Sequence, residues 1–146
     1  AARAFLAFGR DRATAGDAAD GRLTAAEVYD LQVSADLVVL SACRSGRGRI
    51  TGDGVAGFTR AFISAGARTV VASLWDAPDE TARRLMARFY RQFAQGTGSA
   101  EALRAAQLAL LADLRAGKVS VASPAGDVML PPHPALWAGF RVHGLP

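Results

Sequence analysis

The sequence predicts an α/β fold with a mostly parallel sheet, on two observations. Two short runs rich in branched apolar residues, DLVVLS (36–41) and RTVVASL (68–74), have the length of strands and read as apolar on both faces. Segments of helical period lie between and after them, giving the order strand, helix, strand, helix, helix, strand. The size agrees. The chain has 146 residues, of which 51% are hydrophobic and 21% charged. A chain of this length buries roughly 68–70% of the surface its unfolded form exposes, enough for a core without disulfides or structural metal.

Taken in order, residues 3–8 (RAFLAF) read as a short strand, and 9–22 as an exposed loop of Gly, Asp, Ala and Arg with no apolar period. Thr24 opens a T-A-A-E capping box in which the Thr hydroxyl and the Glu27 carboxylate satisfy free N–H groups, starting a short helix through Tyr29. The strand at 36–41 follows, expected to be buried on both faces, and then a loop with glycines at 46, 48, 52 and 54. Val55, Phe58, Thr59, Phe62 and Ile63 carry helical spacing to Ser64, where Gly66 is placed to stop the helix. The strand at 68–74 ends on Trp75-Asp76. Pro78 fits the first turn of the next helix, with Asp79 and Glu80 near its positive end. That helix is expected to bury Leu85, Met86, Phe89, Tyr90 and Phe93 and to break at Gly96-Thr97-Gly98. Ser99 reads as the cap of a helix over 100–116, ended by Gly117; 118–134, with four prolines, reads as irregular. In the last segment Leu136, Ala138, Phe140 and Val142 alternate with Trp137, Arg141 and His143, the pattern of a half-exposed strand at a sheet edge.

Composition excludes several classes of function. One cysteine forms no internal disulfide, and with two histidines there is no Cys/His metal cluster. No apolar run approaches the ~18 residues of a membrane span, and no signal peptide opens the chain, so the expectation is a cytoplasmic protein without metal or cofactor. The 17 basic residues include a single lysine, Lys118, which with abundant Ala points to a high-GC genome as much as to an anionic partner. A net charge of +4 is a weak argument for nucleic acid. The chain opens on Ala1, not Met, and is expected to be cut from something longer with functional residues upstream.

In parallel sheets, sites collect at the carboxyl ends of strands. Two strands here end in polar or reactive residues, at Ser41-Ala42-Cys43 and at Trp75-Asp76, which share one rim if the strands are parallel. Cys43 precedes a turn through Ser45 and Gly46 that can aim backbone N–H groups at an oxyanion when a thiolate attacks a carbonyl. It reads equally as a buried, inert Cys behind an apolar strand. Gly46, Gly48 and Gly52 have the wrong spacing for a dinucleotide turn, and no G-K-[ST] follows. Arg44, Arg47 and Arg49 can contact phosphate or be solvated, and Ser41 lacks a G-x-S-x-G elbow. Trp75, Trp137, Phe89 and Tyr90 read as core aromatics. His133, among prolines, and His143, near the terminus, read as structural or surface groups. Were the final strand parallel to the one before Cys43, His133 would enter from the opposite rim.

DLVVLSACRSGRG (36–48), GDGVAGFTRAFISAGARTVVASLWDAPDETARRLMARFY (52–90), SAEALRAAQLAL (99–110) and HPALWAGFRVHG (133–144) resemble, in order, the motifs of the CHAT domain. This is the bacterial caspase-like domain often found behind tetratricopeptide repeats, and DGRLTAAEVYDL (20–31) is similar to its lead-in. The resemblance implies a three-layer caspase-like sandwich over 1–146, as one partial domain lacking its N-terminal strands, with 1–22 as lead-in and 23–146 as core. It also implies a cysteine endopeptidase with a His–Cys dyad, in which Cys43 matches the S-A-C nucleophile. The family's dyad His lies in an H-G pair before the Cys strand. Here the one such pair is His143-Gly144, at the far end of the chain, so the partner His is expected upstream or the protein is a non-catalytic relative. Asp76 and Asp79 fall where the family builds its primary specificity pocket, and a carboxylate there favours a basic P1 side chain. Alternatively Asp76 caps the following helix and Asp79 supports its start. A peptide or protein substrate and a repeat domain in the same polypeptide are the implied partners. The competing classes are an interaction module and an anion-binding or nucleic-acid-binding domain.

Overall fold

The computed structural model describes residues 5–7, 21–41 and 52–145. Within them the chain is a mixture of helices and small sheets, in two compact units. The first comprises the described residues up to Ala72 together with His143–Leu145, and the second runs from Ser73 to Val142.

In the first unit, β1 (Phe5–Ala7) pairs antiparallel with β2 (Arg22–Thr24), and the Arg22 guanidinium lies 4.5 Å above the Phe5 ring. The capping box forms as its spacing predicts, starting α1 (Ala25–Tyr29). The Thr24 N–H donates to Glu27 Oε2 at 2.7 Å, and the Glu27 N–H donates to Thr24 Oγ1 at 3.3 Å. β3 (Leu37–Leu40) is half-buried along its whole length, where burial on both faces was expected. α2 (Gly52–Ser64) begins earlier than the apolar spacing suggests, because glycine and aspartate carry no period to read. α1 and α2 pack through Val28, Phe58 and Ala61, flanked by Leu6, Leu23, Ala25, Leu40, Phe62 and Ala65. Ile63 falls on the exposed side of α2.

β4 (Thr69–Ser73) is buried at every residue, as its branched apolar run requires. It pairs in parallel with β3, Leu37 opposite Thr69 and Leu40 opposite Ala72. Among the described residues the sheet order is β3–β4–β7, with β7 spanning Phe140–Gly144. β7 is antiparallel to β4. At one end the Leu145 N–H donates to Arg68 O at 3.0 Å, and at the other the Leu74 N–H donates to Gly139 O at 2.7 Å.

The second unit is built on a pair of helices, α3 (Asp79–Ala94) and α4 (Ser99–Arg115). Leu85 and Phe89 of α3, and Ala102, Leu103, Ala106, Leu110 and Leu114 of α4, are buried at helical spacing. Phe89 is fully buried and stacks on Phe93 at 5.9 Å; burial of such a side chain contributes roughly 1.5–3 kcal/mol. Tyr90, expected in the core, is exposed, since it lies one position past the buried stripe. An ion pair between Arg88 and Asp113 joins the two helices.

All three long helices end alike. Ala67, Thr97 and Lys118 donate their N–H groups to Phe62, Gln92 and Asp113, and the preceding glycine of each donates to Ile63, Phe93 and Leu114. This is the Schellman closure, in which a glycine past the helix end takes a positive φ. At the start of α4 the N-cap is Gly98, and Ser99 is a buried first-turn residue, not the expected cap. The stretch read as irregular contains a short antiparallel pair, β5 (Ser120–Val121) with β6 (Val128–Met129). Leu136 and Trp137, expected in the final strand, instead lie in a single helical turn, α5 (Pro134–Trp137), with the strand beginning at Phe140.

Candidate functional site

Cys43, Ser45 and Gly46, with Arg44, Arg47 and Arg49, lie outside the described residues. Ser41, the described residue that follows β3, is exposed. The parallel register sets Leu40 beside Ala72, so β3 and β4 share one carboxyl edge.

β7 brings His143 to the other edge. Leu145 is bonded to Arg68 through its N–H, its carbonyl accepts from the Thr69 hydroxyl, and Thr69 is opposite Leu37, the first residue of β3. His143 therefore sits toward the end of the sheet where β3 and β4 begin. The antiparallel direction of β7 corrects the parallel arrangement considered above and reverses what it implied for His133. That residue precedes the end of β7 that meets Leu74, at the carboxyl end of β4. Its imidazole has a local task, with Nδ1 accepting from the Ala135 N–H at 3.2 Å as the N-cap of α5.

Beyond β4 the chain is tied down closely. The Trp75 indole Nε1–H donates to Ala135 O at 2.8 Å. The ring lies against Gly139, where a Cβ would stand 3.1 Å from Nε1. Trp75 is 40% exposed, so it is a clasp on the surface and not the core aromatic expected from its type. The L-W pair at 74–75 and the W-A-G-F run at 137–140 are thus two halves of one contact. The sequence carries that signal in Gly139, a glycine between apolar residues at the start of a strand.

Asp76 and Asp79 are both exposed, Asp76 past the end of β4 and Asp79 in the first turn of α3. The N-cap of α3 is Pro78, one position ahead of the first turn where it was expected, so Asp76 is not the capping residue. The turn is closed by the Thr81 hydroxyl, fully buried, which donates to Pro78 O at 2.9 Å. Glu80 is held by Arg84 at 2.6 Å and Arg83 at 2.9 Å, and these guanidinium groups keep its carboxyl below the ordinary glutamate range. The Arg88 guanidinium does the same for Asp113. Both carboxylates belong to the framework of the helix pair. Among the described residues no group of His, Cys, Asp and Glu is arranged to hold a metal ion, and no helix is long and apolar enough to cross a membrane.

The CHAT domain family model matches residues 1–144. The chain belongs to the CHAT domain family. Among curated proteins this CHAT domain is 36% identical over 122 residues to tetratricopeptide repeat protein 28 of Mus musculus, and 37% identical over 122 residues to tetratricopeptide repeat protein 28 of Homo sapiens. Each match covers 84% of the chain and 4% of the relative. These mammalian relatives overturn the bacterial origin expected from the resemblance.

Proposed function

We propose that this CHAT domain is the C-terminal portion of a caspase-like cysteine endopeptidase domain of three-layer architecture, with Cys43 as nucleophile and the dyad histidine supplied from upstream sequence. Two observations support the reading: the CHAT family model matches residues 1–144, and the S-A-C motif at 41–43 follows in sequence on β3, a strand paired in parallel with β4. A thiol at its reference pKa of ~8.5 is only a few per cent thiolate at neutral pH, so the reaction needs a base beside it. The base takes the thiol proton, the thiolate attacks the scissile carbonyl, and backbone N–H groups at Ser45 and Gly46 receive the oxyanion. The protonated base then donates to the leaving amine, and water releases the acyl group. The absence of an H-G pair before Cys43 in this sequence and the capping role of His133 both support a base drawn from outside this chain. Asp76 and Asp79 supply negative charge for a basic P1 residue. A reduced thiol of this kind suits the cytoplasm.

The relatives' name favours a second element of the reading, that the domain shares its polypeptide with tetratricopeptide repeats. The same observation carries the alternative, a CHAT domain that binds protein partners without cleaving them. A peptide library presented to the natural-length polypeptide and to its Cys43→Ala variant separates the two. The proposal requires cleavage after Arg or Lys that the variant lacks; binding to repeat domains with no Cys43-dependent cleavage establishes the alternative.

A further inference from the structure

We infer that Trp75 is a positioning residue for the Asp76 carboxylate, and that Gly139 is glycine so that the indole can take up this place. The inference rests on the reading of Asp76 as a specificity-pocket residue. Upstream of Asp76, Leu74 is tied through its N–H to Gly139 O at 2.7 Å and Trp75 through its indole N–H to Ala135 O at 2.8 Å. Downstream, Pro78 O accepts from the Thr81 hydroxyl at 2.9 Å and from the Ala82 N–H at 3.0 Å, with Thr81 fully buried. Only Asp76 and Ala77 lie between these anchors. So short a segment, fixed at both ends, has few backbone states left, and the ordering entropy of the carboxylate is met in the free protein instead of at substrate binding. A ring as large as indole left 40% exposed gains less from burial than a core position would give it, and its donor is used on the backbone of the segment leading into β7.

Gly139 sets the tolerance. A Cβ there would meet Nε1 at 3.1 Å and Cε2 at 3.4 Å, so alanine must push the indole away by a few tenths of an ångström. Trp75→Phe keeps a ring but loses the donor, and Gly139→Ala keeps the donor but shifts the ring. The two variants disturb one contact from opposite sides.

The test uses the natural-length polypeptide and one peptide made with Arg or with Leu at P1. Trp75→Phe should lower the Arg-to-Leu selectivity by about fivefold, the worth of one lost hydrogen bond, through a higher KM for the Arg peptide at unchanged kcat. Gly139→Ala should act in the same direction. The rate at which iodoacetamide labels Cys43 should stay as in the parent, and in an Asp76→Asn background Trp75→Phe should change selectivity no further. Selectivity unmoved by both variants, or lowered by Trp75→Phe as much in the Asp76→Asn background as in the parent, overturns the inference while leaving the peptidase in place. Absence of any Cys43-dependent cleavage by the parent removes the peptidase reading, and this inference with it.

Discussion

Replacing Gly66 with alanine should destabilise the protein by about 2–3 kcal/mol, and replacing Gly96 by only about 1–2 kcal/mol. Both glycines occupy the same place in a Schellman closure, at φ +112° and +86°. A left-handed conformation costs an L-residue about 1–2 kcal/mol, and that cost is common to both. The surroundings differ. A Cβ at Gly66 would stand 2.7 Å from Val33 O, whereas nothing lies within 4 Å of one at Gly96. Val33 cannot simply yield, because its N–H donates to Ala65 O at 2.8 Å, and moving it sacrifices a hydrogen bond worth about 1 kcal/mol. The lower unfolded-state freedom of alanine favours both variants equally and cancels between them. Urea unfolding at constant slope gives the two differences directly. A Gly66→Ala protein no less stable than Gly96→Ala would refute the idea that Val33 is a fixed backstop to the α2 closure.

Three further outcomes are expected. Thr24→Ala removes the hydroxyl that accepts from the Glu27 N–H and should cost about 1 kcal/mol, read from the same urea midpoints. The Asp113 and Glu80 carboxyls are held below their ordinary values of 3.8 and 4.5 by arginine partners, so the stability they contribute is present above those values and lost as pH falls through the lowered ones. The melting temperature should therefore fall on the acid side of about pH 4.5, and less steeply in Asp113→Asn; identical acid limbs would show the pair contributes nothing. The isolated 146-residue chain should hydrolyse no peptide, because no H-G pair precedes Cys43 in its sequence and the His133 imidazole is engaged as the N-cap of α5. Turnover by it that depends on Cys43 would direct attention to His133 first, since it precedes the end of β7 that meets Leu74.

Features written in local chemistry were legible in the sequence. The T-A-A-E box needs only its own four residues, the three closing glycines need only the helix before them, and the unbroken branched run of β4 states its own burial. What could not be read depends on distant partners. β5 and β6 are two residues each and exist through pairing with one another, and Leu130 is tied back to Val119. The direction of β7 is set by its bonds to Arg68 and Leu74, which no periodicity announces. The segment of Asp76 and Asp79 divides in the same way. Its place after a strand was legible, but the tether that holds it joins Trp75 to Ala135, sixty positions away, and only Gly139 hinted at it.

The central claim is that Cys43 is a nucleophile poised for acyl transfer beside a pocket for a basic side chain. A peptidyl acyloxymethyl ketone with Arg at P1, added to the natural-length polypeptide and followed by intact mass and peptide mapping, tests it most directly. One covalent adduct should form, on Cys43, faster than with a Leu-P1 reagent and slower in Asp76→Asn. No adduct on Cys43 under conditions where the folded protein retains its native circular dichroism would contradict it.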